Sequence, residues 1–138
     1  MIIAIIVILI LLFVIWDIYH YVFHRNNGCL IHLFMDKKKH SEEYYAKRDS
    51  NAEKLRQAVQ EKYEIHSDRG ELLRGFCLPC GEGKSKTVAF IVHGYRSEHA
   101  ETAGMFLDYY HSRGIDVFTC DHTAHGESEG KHIGYDYF

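Results

Sequence analysis

The apolar N-terminal segment constrains this chain most. The run MIIAIIVILILLFVIW carries no charged or strongly polar side chain, and apolar residues resume after Asp17. A bilayer core needs about 20 mostly apolar residues in a helix, and residues 2–23 supply that length. Trp16, Tyr19 and Tyr21 fall where interfacial aromatic residues belong. We therefore expect a transmembrane anchor over residues 1–24, in contact with the lipid bilayer through residues 2–23.

A cleaved signal peptide is the alternative interpretation of this segment. However, no basic segment precedes the apolar run and no small-x-small cleavage site follows it. Gly28-Cys29 follows two asparagines rather than the apolar and small residues of a lipoprotein cleavage site. These features favour an uncleaved anchor.

The flanking charges predict the orientation of this anchor. Arg25, Lys37, Lys38 and Lys39 all lie on its C-terminal side. Because basic residues stay on the cytoplasmic side of a membrane, the soluble part is expected in the cytoplasm at the cell membrane.

Composition limits what the soluble part can be. The chain has 138 residues and a formal net charge of −3, which allows one small domain. No basic stripe is present to neutralise phosphates, so binding to nucleic acid is not expected. The four cysteines lie at irregular spacings, which is typical of free thiols rather than a disulfide framework.

Residues 25–61 form a charged connector with helical character. Ser50-Asn51-Ala52-Glu53 matches a capping box, in which the serine and glutamate side chains satisfy free backbone donors reciprocally. An apolar stripe at helical spacing follows, so the pattern predicts a helix over about residues 51–61.

An antiparallel hairpin is predicted to open the soluble domain, residues 62–138. The strand-like runs YEIH and ELLRGFCL flank the turn Ser67-Asp68-Arg69-Gly70. Cys77 and Cys80 form a lone C-x-x-C at the end of the second run. A zinc site would require a second such pair, so we do not expect metal or redox chemistry there.

A βαβ unit follows the hairpin. The apolar run TVAFIV, residues 87–92, predicts a strand buried on both faces. A helix pattern covers residues 97–112, and IDVFTC, residues 115–120, predicts a second strand that ends at Asp121. Short connections between strand, helix and strand indicate parallel pairing.

The pattern resembles the N-terminal portion of the α/β-hydrolase superfamily. The carrying features are an apolar strand ending in HGY, a helix, and a strand followed by D-x-x-x-H-G-x-S-x-G. The chain is most similar to bacterial membrane-anchored hydrolases of the serine aminopeptidase-like or esterase-like type. The resemblance implies an α/β fold with a mostly parallel sheet. It also implies hydrolysis of an ester, thioester or amide in a small acyl substrate, by a serine nucleophile through an acyl-enzyme, without a cofactor or metal.

The resemblance also assigns roles to six residues. It gives one backbone amide of the oxyanion hole to Tyr95, where the preceding glycine leaves room for the oxyanion. His93, Gly94, Asp121, Gly126 and Ser128 are expected to shape the loops around the site. Thr123 departs from the pattern, since the family usually carries an arginine at this position.

Ser128 raises a separate question, because GESEG matches the G-x-S-x-G of a nucleophile elbow. Such an elbow requires an apolar strand that runs directly into the first glycine, but the polar residues DHTAH stand there. Two glutamates flank the serine, and only ten residues follow it, too few for an acid and then a histidine on later strands. We therefore expect Ser128 to be structural. The chain is then a truncated hydrolase that lacks nucleophile, acid and histidine.

Three alternatives remain open from the sequence alone. His122, His125 and His132 cluster near Asp121 and could bind a metal ion. The chain could be a non-catalytic, membrane-tethered fragment or interaction module. The remaining strands could also be supplied by a second polypeptide.

Overall fold

A computed structural model describes residues 2–25, 30, 40–58, 61–81, 83 and 85–133 of the chain. In chain order, its helices and strands are α1 (Ile2–Phe23), α2 (Glu42–Gln57), β1 (Glu61–His66), β2 (Leu72–Leu78), β3 (Val88–Val92), α3 (His99–Gly104), α4 (Leu107–His111) and β4 (Asp116–Cys120). The fold is mixed α/β, as predicted, with one four-stranded sheet of order β1-β2-β4-β3. Parts of the predicted connector and the last five residues of the predicted domain lie outside the described residues.

Helix α1 is long and apolar enough to cross a membrane. Its 22 residues span about 33 Å at 1.5 Å per residue, and a hydrocarbon core is about 30 Å thick. It is the one candidate span within the described part of the chain. Its side chains are exposed from Ile2 to Trp16, as a helix that faces lipid on all sides requires. A signal sequence has the same length and composition, so the anchor stays a prediction.

Helix α2 begins earlier than the sequence predicted. Ser41, not Ser50, is its N-cap, and the Ser41 hydroxyl accepts a hydrogen bond of 3.2 Å from the Tyr44 N–H. The predicted capping box at Ser50 and the helix boundary at residue 51 are therefore wrong. Ser50 lies inside the helix because Ser41, which is followed by two glutamates, provides an equally good N-cap earlier in the chain.

The hairpin and the βαβ unit are both confirmed. β1 and β2 pair in antiparallel fashion, with Ile65 opposite Leu73. Gly70 closes the turn between them with a positive φ of 83°, which glycine adopts without strain. β3 and β4 are parallel, with Phe90 opposite Phe118, whereas β4 also pairs antiparallel to β2.

The predicted helix over residues 97–112 is divided into α3 and α4. The Phe106 N–H bonds to the Ala103 carbonyl, three residues back, which ends the α-helical ladder near Gly104. A Cβ on Gly104 would lie 2.6 Å from the Asn51 carbonyl oxygen of α2. The glycine that weakens the helix is thus the residue that allows α2 and α3 to touch backbone to backbone.

The hydrophobic core lies on one face of the sheet. Phe76, Leu78 and Val117 point from the strands toward α2 and α3, which contribute Leu55 and Ala103. The opposite face is open along β3, where alternate residues are exposed: Val88 54%, Phe90 62% and Val92 44%. The prediction of a strand buried on both faces is therefore wrong for the described residues, because their helices cover only one side of the sheet.

The C-x-x-C segment is held by backbone contacts to a buried aspartate. The Asp116 carboxylate accepts hydrogen bonds from the N–H groups of Cys80 at 2.9 Å and Ser85 at 3.3 Å. The bond from the Cys80 N–H is the main cause of a lowered pKa at Asp116. These hydrogen bonds to Asp116 tie the segment to the start of β4. Among the described residues, no cluster of side chains is suited to bind a metal ion.

We predict that Gly104→Ala destabilises the fold. The added Cβ would clash with the backbone of Asn51 rather than with a mobile side chain, and such overpacking costs about 1–3 kcal/mol. Guanidinium unfolding of the chain in detergent micelles, followed by circular dichroism, measures the change. Gly81→Ala is the control, since a Cβ there meets nothing within 4 Å. Equal stability of the two variants would contradict the proposed helix contact.

Candidate functional site

The two loops singled out by sequence lie at the same edge of the sheet. β3 ends at Val92 and β4 at Cys120, and these two residues are paired neighbours. Because the strands are parallel, the loop beginning at His93 and the loop beginning at Asp121 leave the sheet side by side. The structure therefore brings the six predicted site residues into two adjacent loops.

Asp121 joins these loops through its buried carboxylate. Oδ1 accepts a hydrogen bond from the His99 N–H at 2.8 Å. Oδ2 accepts one from His99 Nδ1 and one from the Glu127 N–H, both at 2.8 Å. Gly126 sits against the same carboxylate with φ +43°, and a Cβ there would lie 2.1 Å from Oδ2. Only glycine fits this position.

The Asp121 carboxyl is held in its charged form. Burial raises its pKa, but the hydrogen bond from the His99 ring, the hydrogen bonds from the N–H groups of Glu127 and His99, and the electrostatic interaction with His99 lower it by more. The net pKa lies below the usual value for aspartate. Sequence analysis did not find His99, although a buried aspartate at a strand end requires a donor of this kind.

Ser128 is buried and bonded on both sides to backbone atoms. Its hydroxyl donates to the Asp121 carbonyl at 2.7 Å and accepts from the Arg74 N–H at 2.9 Å. Its side chain is 1% exposed. This geometry fixes the loop after β4 against strand β2, which is what a structural serine does. The structural role assigned to Ser128 stays a prediction.

His93 links the two loops as a neutral imidazole. Its Nδ1 lies 2.8 Å from the Gly94 carbonyl and donates to it. Its Nε2 accepts from the His122 N–H at 3.1 Å. A ring that accepts at Nε2 carries its proton on Nδ1 alone. The side chain is fully buried, so the ring fixes the end of β3 to the start of the neighbouring loop.

His125 fixes the residue that follows Tyr95. Its Nδ1 donates to the Thr123 carbonyl at 2.9 Å, and its Nε2 accepts from the Arg96 N–H at 3.2 Å. Burial lowers the pKa of His125, the bond to Thr123 opposes this, and the neighbouring imidazoles lower the pKa further. Arg96 is held at a positive φ of 57°. The histidine therefore holds a tight turn directly after Tyr95.

Tyr95 is an exposed residue of this turn, with 48% of its surface accessible, and its backbone N–H is the predicted oxyanion-hole donor. Within the described ranges, no acceptor binds it. A Cβ on Gly94 would meet nothing within 4 Å, so the space on the Cβ side of Gly94 is open. The Tyr95 hydroxyl donates to the Val22 carbonyl at the end of α1. An oxyanion-hole donor requires such a fixed, unpaired N–H next to open space.

The three histidines considered as metal ligands do not form one group. His122 and His125 flank His93, with ring centroids 4.7 Å from it. His132 instead contacts His24, at 5.0 Å between ring centroids. The described residues contain no cluster suited to a metal ion. The histidine at 93 and the one at 125 use their ring nitrogens to bond backbone atoms.

A cavity of about 370 Å³ lies beside these loops on the open face of the sheet. Asp121, His122 and Thr123 line the end nearest the site, and Phe118 and Tyr63 line the apolar end. The cavity borders the exposed apolar face, because Phe118 lines the cavity and stacks on Phe90.

Comparison with known proteins finds likeness in structure alone. No family model matches the chain, and no curated protein matches its sequence. The Pyrococcus furiosus esterase Pf2001 is similar at 25% identity and a TM-score of 0.45, over 57% of this chain and 29% of that one. The α/β hydrolase GrgF from Penicillium is similar at 18% identity and a TM-score of 0.42. This likeness covers 52% of the present chain and 24% of the hydrolase.

Acetyl xylan esterase 1 from Thermoanaerobacterium is a third similar structure, at 15% identity and a TM-score of 0.37. This likeness covers 64% of the present chain and 32% of the esterase. The chain thus spans less than a third of the length of each of these three solved structures.

We predict that Asp121→Asn lowers the free energy of unfolding by about 1.5–3 kcal/mol at pH 7, because bonds to a charged group are lost. A lowered pKa in the folded state stabilises the fold above the unfolded pKa of about 3.9, and this contribution disappears as the pH falls through the folded value. The difference between native chain and variant should therefore shrink below pH 4 in urea unfolding.

Asp108→Asn is the matched control. Its carboxylate pairs with Lys54 at 2.6 Å but is 77% exposed, so the change should have little effect at either pH. A difference between native chain and Asp121→Asn that stayed constant from pH 7 to pH 3 would contradict the buried charge.

Proposed function

We propose that residues 61–133 form the oxyanion side of a serine hydrolase site of the α/β-hydrolase type. The substrate class is an acyl compound, namely an ester, thioester or amide. The observation that supports this proposal is the Tyr95 N–H in the loop after β3, for which the described residues provide no acceptor. The loop that carries it is held by the buried residues Asp121, His93 and His125.

The proposed reaction uses this N–H on a developing charge. Attack of a serine oxygen on the acyl carbon forms a C–O bond and moves an electron pair onto the carbonyl oxygen. The Tyr95 N–H would donate to that oxyanion, together with a second donor from elsewhere in the site. The bond to the leaving group then breaks, the leaving group takes the serine's proton, and water releases the acid from the acyl-enzyme. No cofactor takes part.

The nucleophile, the acid and the catalytic histidine are proposed to come from outside residues 61–133. Ser128 is unsuited to attack, because both bonds of its hydroxyl go to backbone atoms and its side chain is buried. A continuation of the same polypeptide or a second polypeptide could supply the missing groups. In either case, α1 would hold the site at the cell membrane, with the soluble part in the cytoplasm.

The exposed apolar face of the sheet favours a second candidate, a non-catalytic interaction module. Phe90 stacks on Phe118 there, at 5.4 Å between ring centroids, and Val88 and Val92 extend the surface. Such a face requires a covering partner. Both candidate functions require a segment that covers this face. Only the hydrolase uses the Tyr95 N–H in a reaction, so removing that N–H distinguishes the two functions.

The test replaces the Tyr95 amide by an ester, using the α-hydroxy acid analogue of tyrosine. This change removes the N–H and leaves the side chain intact. In the protein isolated from its own membrane with any polypeptide that accompanies it, we expect kcat for p-nitrophenyl butyrate to fall about 10²–10³-fold, the cost of one oxyanion-hole donor.

The same backbone change at the exposed Lys86, before the other end of β3, is the control and should leave kcat close to that of the unmodified protein. Equal rates for the esters at positions 86 and 95 would exclude the proposed oxyanion role. Absence of any hydrolysis by the unmodified protein would favour the interaction module.

A further inference from the structure

The C-terminal end of α1 is capped by the candidate site itself. The last four carbonyls of any helix lack partners within the helix. In α1, the Tyr21 carbonyl accepts from the Arg96 guanidinium, and the Val22 carbonyl accepts from the Tyr95 hydroxyl. The Phe23 carbonyl accepts from the Ile133 N–H at 2.7 Å. Three successive acceptors of the helix are thus satisfied by residues of the site loops.

A second set of contacts runs from α1 into the loop after β4. The Arg25 guanidinium donates to the carbonyls of Ser128 at 2.7 Å and Gly126 at 2.6 Å. The Arg25 N–H donates to the Lys131 carbonyl at 3.0 Å. The Arg96 guanidinium also lies over the Tyr21 ring, 4.5 Å from its centroid. The helix end and the two loops therefore form one hydrogen-bonded unit.

The length of α1 fixes the depth of this unit in a bilayer. A hydrocarbon core about 30 Å thick takes about 20 helical residues, so residues from Tyr21 onward reach the water boundary. Trp16 and Tyr19 lie within one or two turns of that boundary, as interfacial aromatic residues do. Tyr95 bonds to Val22 and must lie at the same depth, so the candidate oxyanion donor is held at the bilayer surface.

The chain around Asp17 also belongs to this boundary. The Asp17 carboxylate accepts a hydrogen bond of 3.0 Å from the Leu30 N–H, and Asp17 is 5% exposed. Leu30 itself is 57% exposed and apolar. A residue that follows the helix is thus held alongside its last turns, with its side chain free to enter lipid.

We infer that the site takes an acyl ester dissolved in the bilayer, with its chain in the hydrocarbon and its carbonyl at the surface, rather than an ester free in water. This inference rests on the proposed function and names its substrate class. The carbonyl of a membrane-dissolved ester lies at the boundary between chain and head group, which is the depth at which Tyr95 is held. The substrate would reach the oxyanion donor without leaving the membrane.

The depth of Tyr95 in the bilayer is tested on the full chain by a measurement that does not depend on activity. Trp16 is the one tryptophan, so Tyr95→Trp and Tyr109→Trp are each made in a Trp16→Phe background. Both tyrosines are about half exposed, at 48% and 55%. In phosphatidylcholine vesicles brominated near the head group, the tryptophan at 95 should lose its fluorescence and the tryptophan at 109, on α4, should keep it.

Several outcomes would overturn the depth assignment. If the tryptophan at 95, like the one at 109, emits equally in brominated and in plain vesicles, Tyr95 lies away from lipid. An intact mass of the membrane-derived protein that lacks the α1 segment shows a removed signal sequence, and the inference then fails. Quenching at both positions shows that the whole domain lies on lipid, which also contradicts a site-specific placement. Circular dichroism of both variants verifies the fold.

Substrate class is tested on the protein isolated from its own membrane. We compare a long-chain acyl ester incorporated in vesicles with the acetate ester of the same alcohol in solution. The rate on the long-chain ester should be at least about tenfold higher, since each added methylene favours the bilayer by about fourfold. If the two esters are hydrolysed at equal rates while the tryptophan at 95 is quenched in the separate depth experiment, only the substrate class is overturned. Absence of hydrolysis of both esters with that tryptophan quenched overturns the proposed function, and the substrate class with it, but leaves the depth assignment standing.

Discussion

The buried carboxylate of Asp121 is the interaction on which the rest of the site depends. A charge removed from water is costly unless several donors surround it, and Asp121 collects three, two from His99 and one from Glu127. These bonds fix where α3 begins and how closely the loop after β4 returns. The close return of this loop determines two further residues. Position 126 must be glycine because no Cβ fits beside the carboxylate, and the hydroxyl of Ser128 joins the loop to β2.

Helix α1 and the candidate site depend on each other through hydrogen bonds. The C-terminal end of a helix exposes unpaired carbonyls, and at the end of α1 the loop that holds Tyr95 supplies donors. Arg25 adds two further hydrogen bonds, to two carbonyls of the Ser128 loop. A change in α1 should therefore reach the site through these hydrogen bonds rather than through solvent.

Sequence patterns predicted the local elements well and the surroundings poorly. The hairpin, the parallel pair β3–β4 and the apolar helix α1 follow from apolar runs and turn residues, which are visible over a short stretch of sequence. The start of α2 was wrong because Ser41 and Ser50 both offer a cap, and nothing local decides between them. The open face of β3 could not be predicted, since an apolar run does not reveal which elements cover it.

The candidate site was predicted in part. The residues at the two strand ends, such as Gly94 and Asp121, could be identified because their motifs resemble those of a known family. His99 and Arg25 were missed, because their partners lie 22 and 101–103 residues away along the chain. Contacts over such distances leave no local pattern, although a buried charge does predict that some donor must be found.

The most direct test of the account is to map the serine that reacts with a fluorophosphonate in the protein isolated from its own membrane. Native protein and a Ser128→Ala variant are labelled, digested and analysed by mass spectrometry. The account predicts that the label lies outside residues 61–133 and is retained in the variant. A label on Ser128 in the native protein, lost in a variant that remains folded, would contradict it.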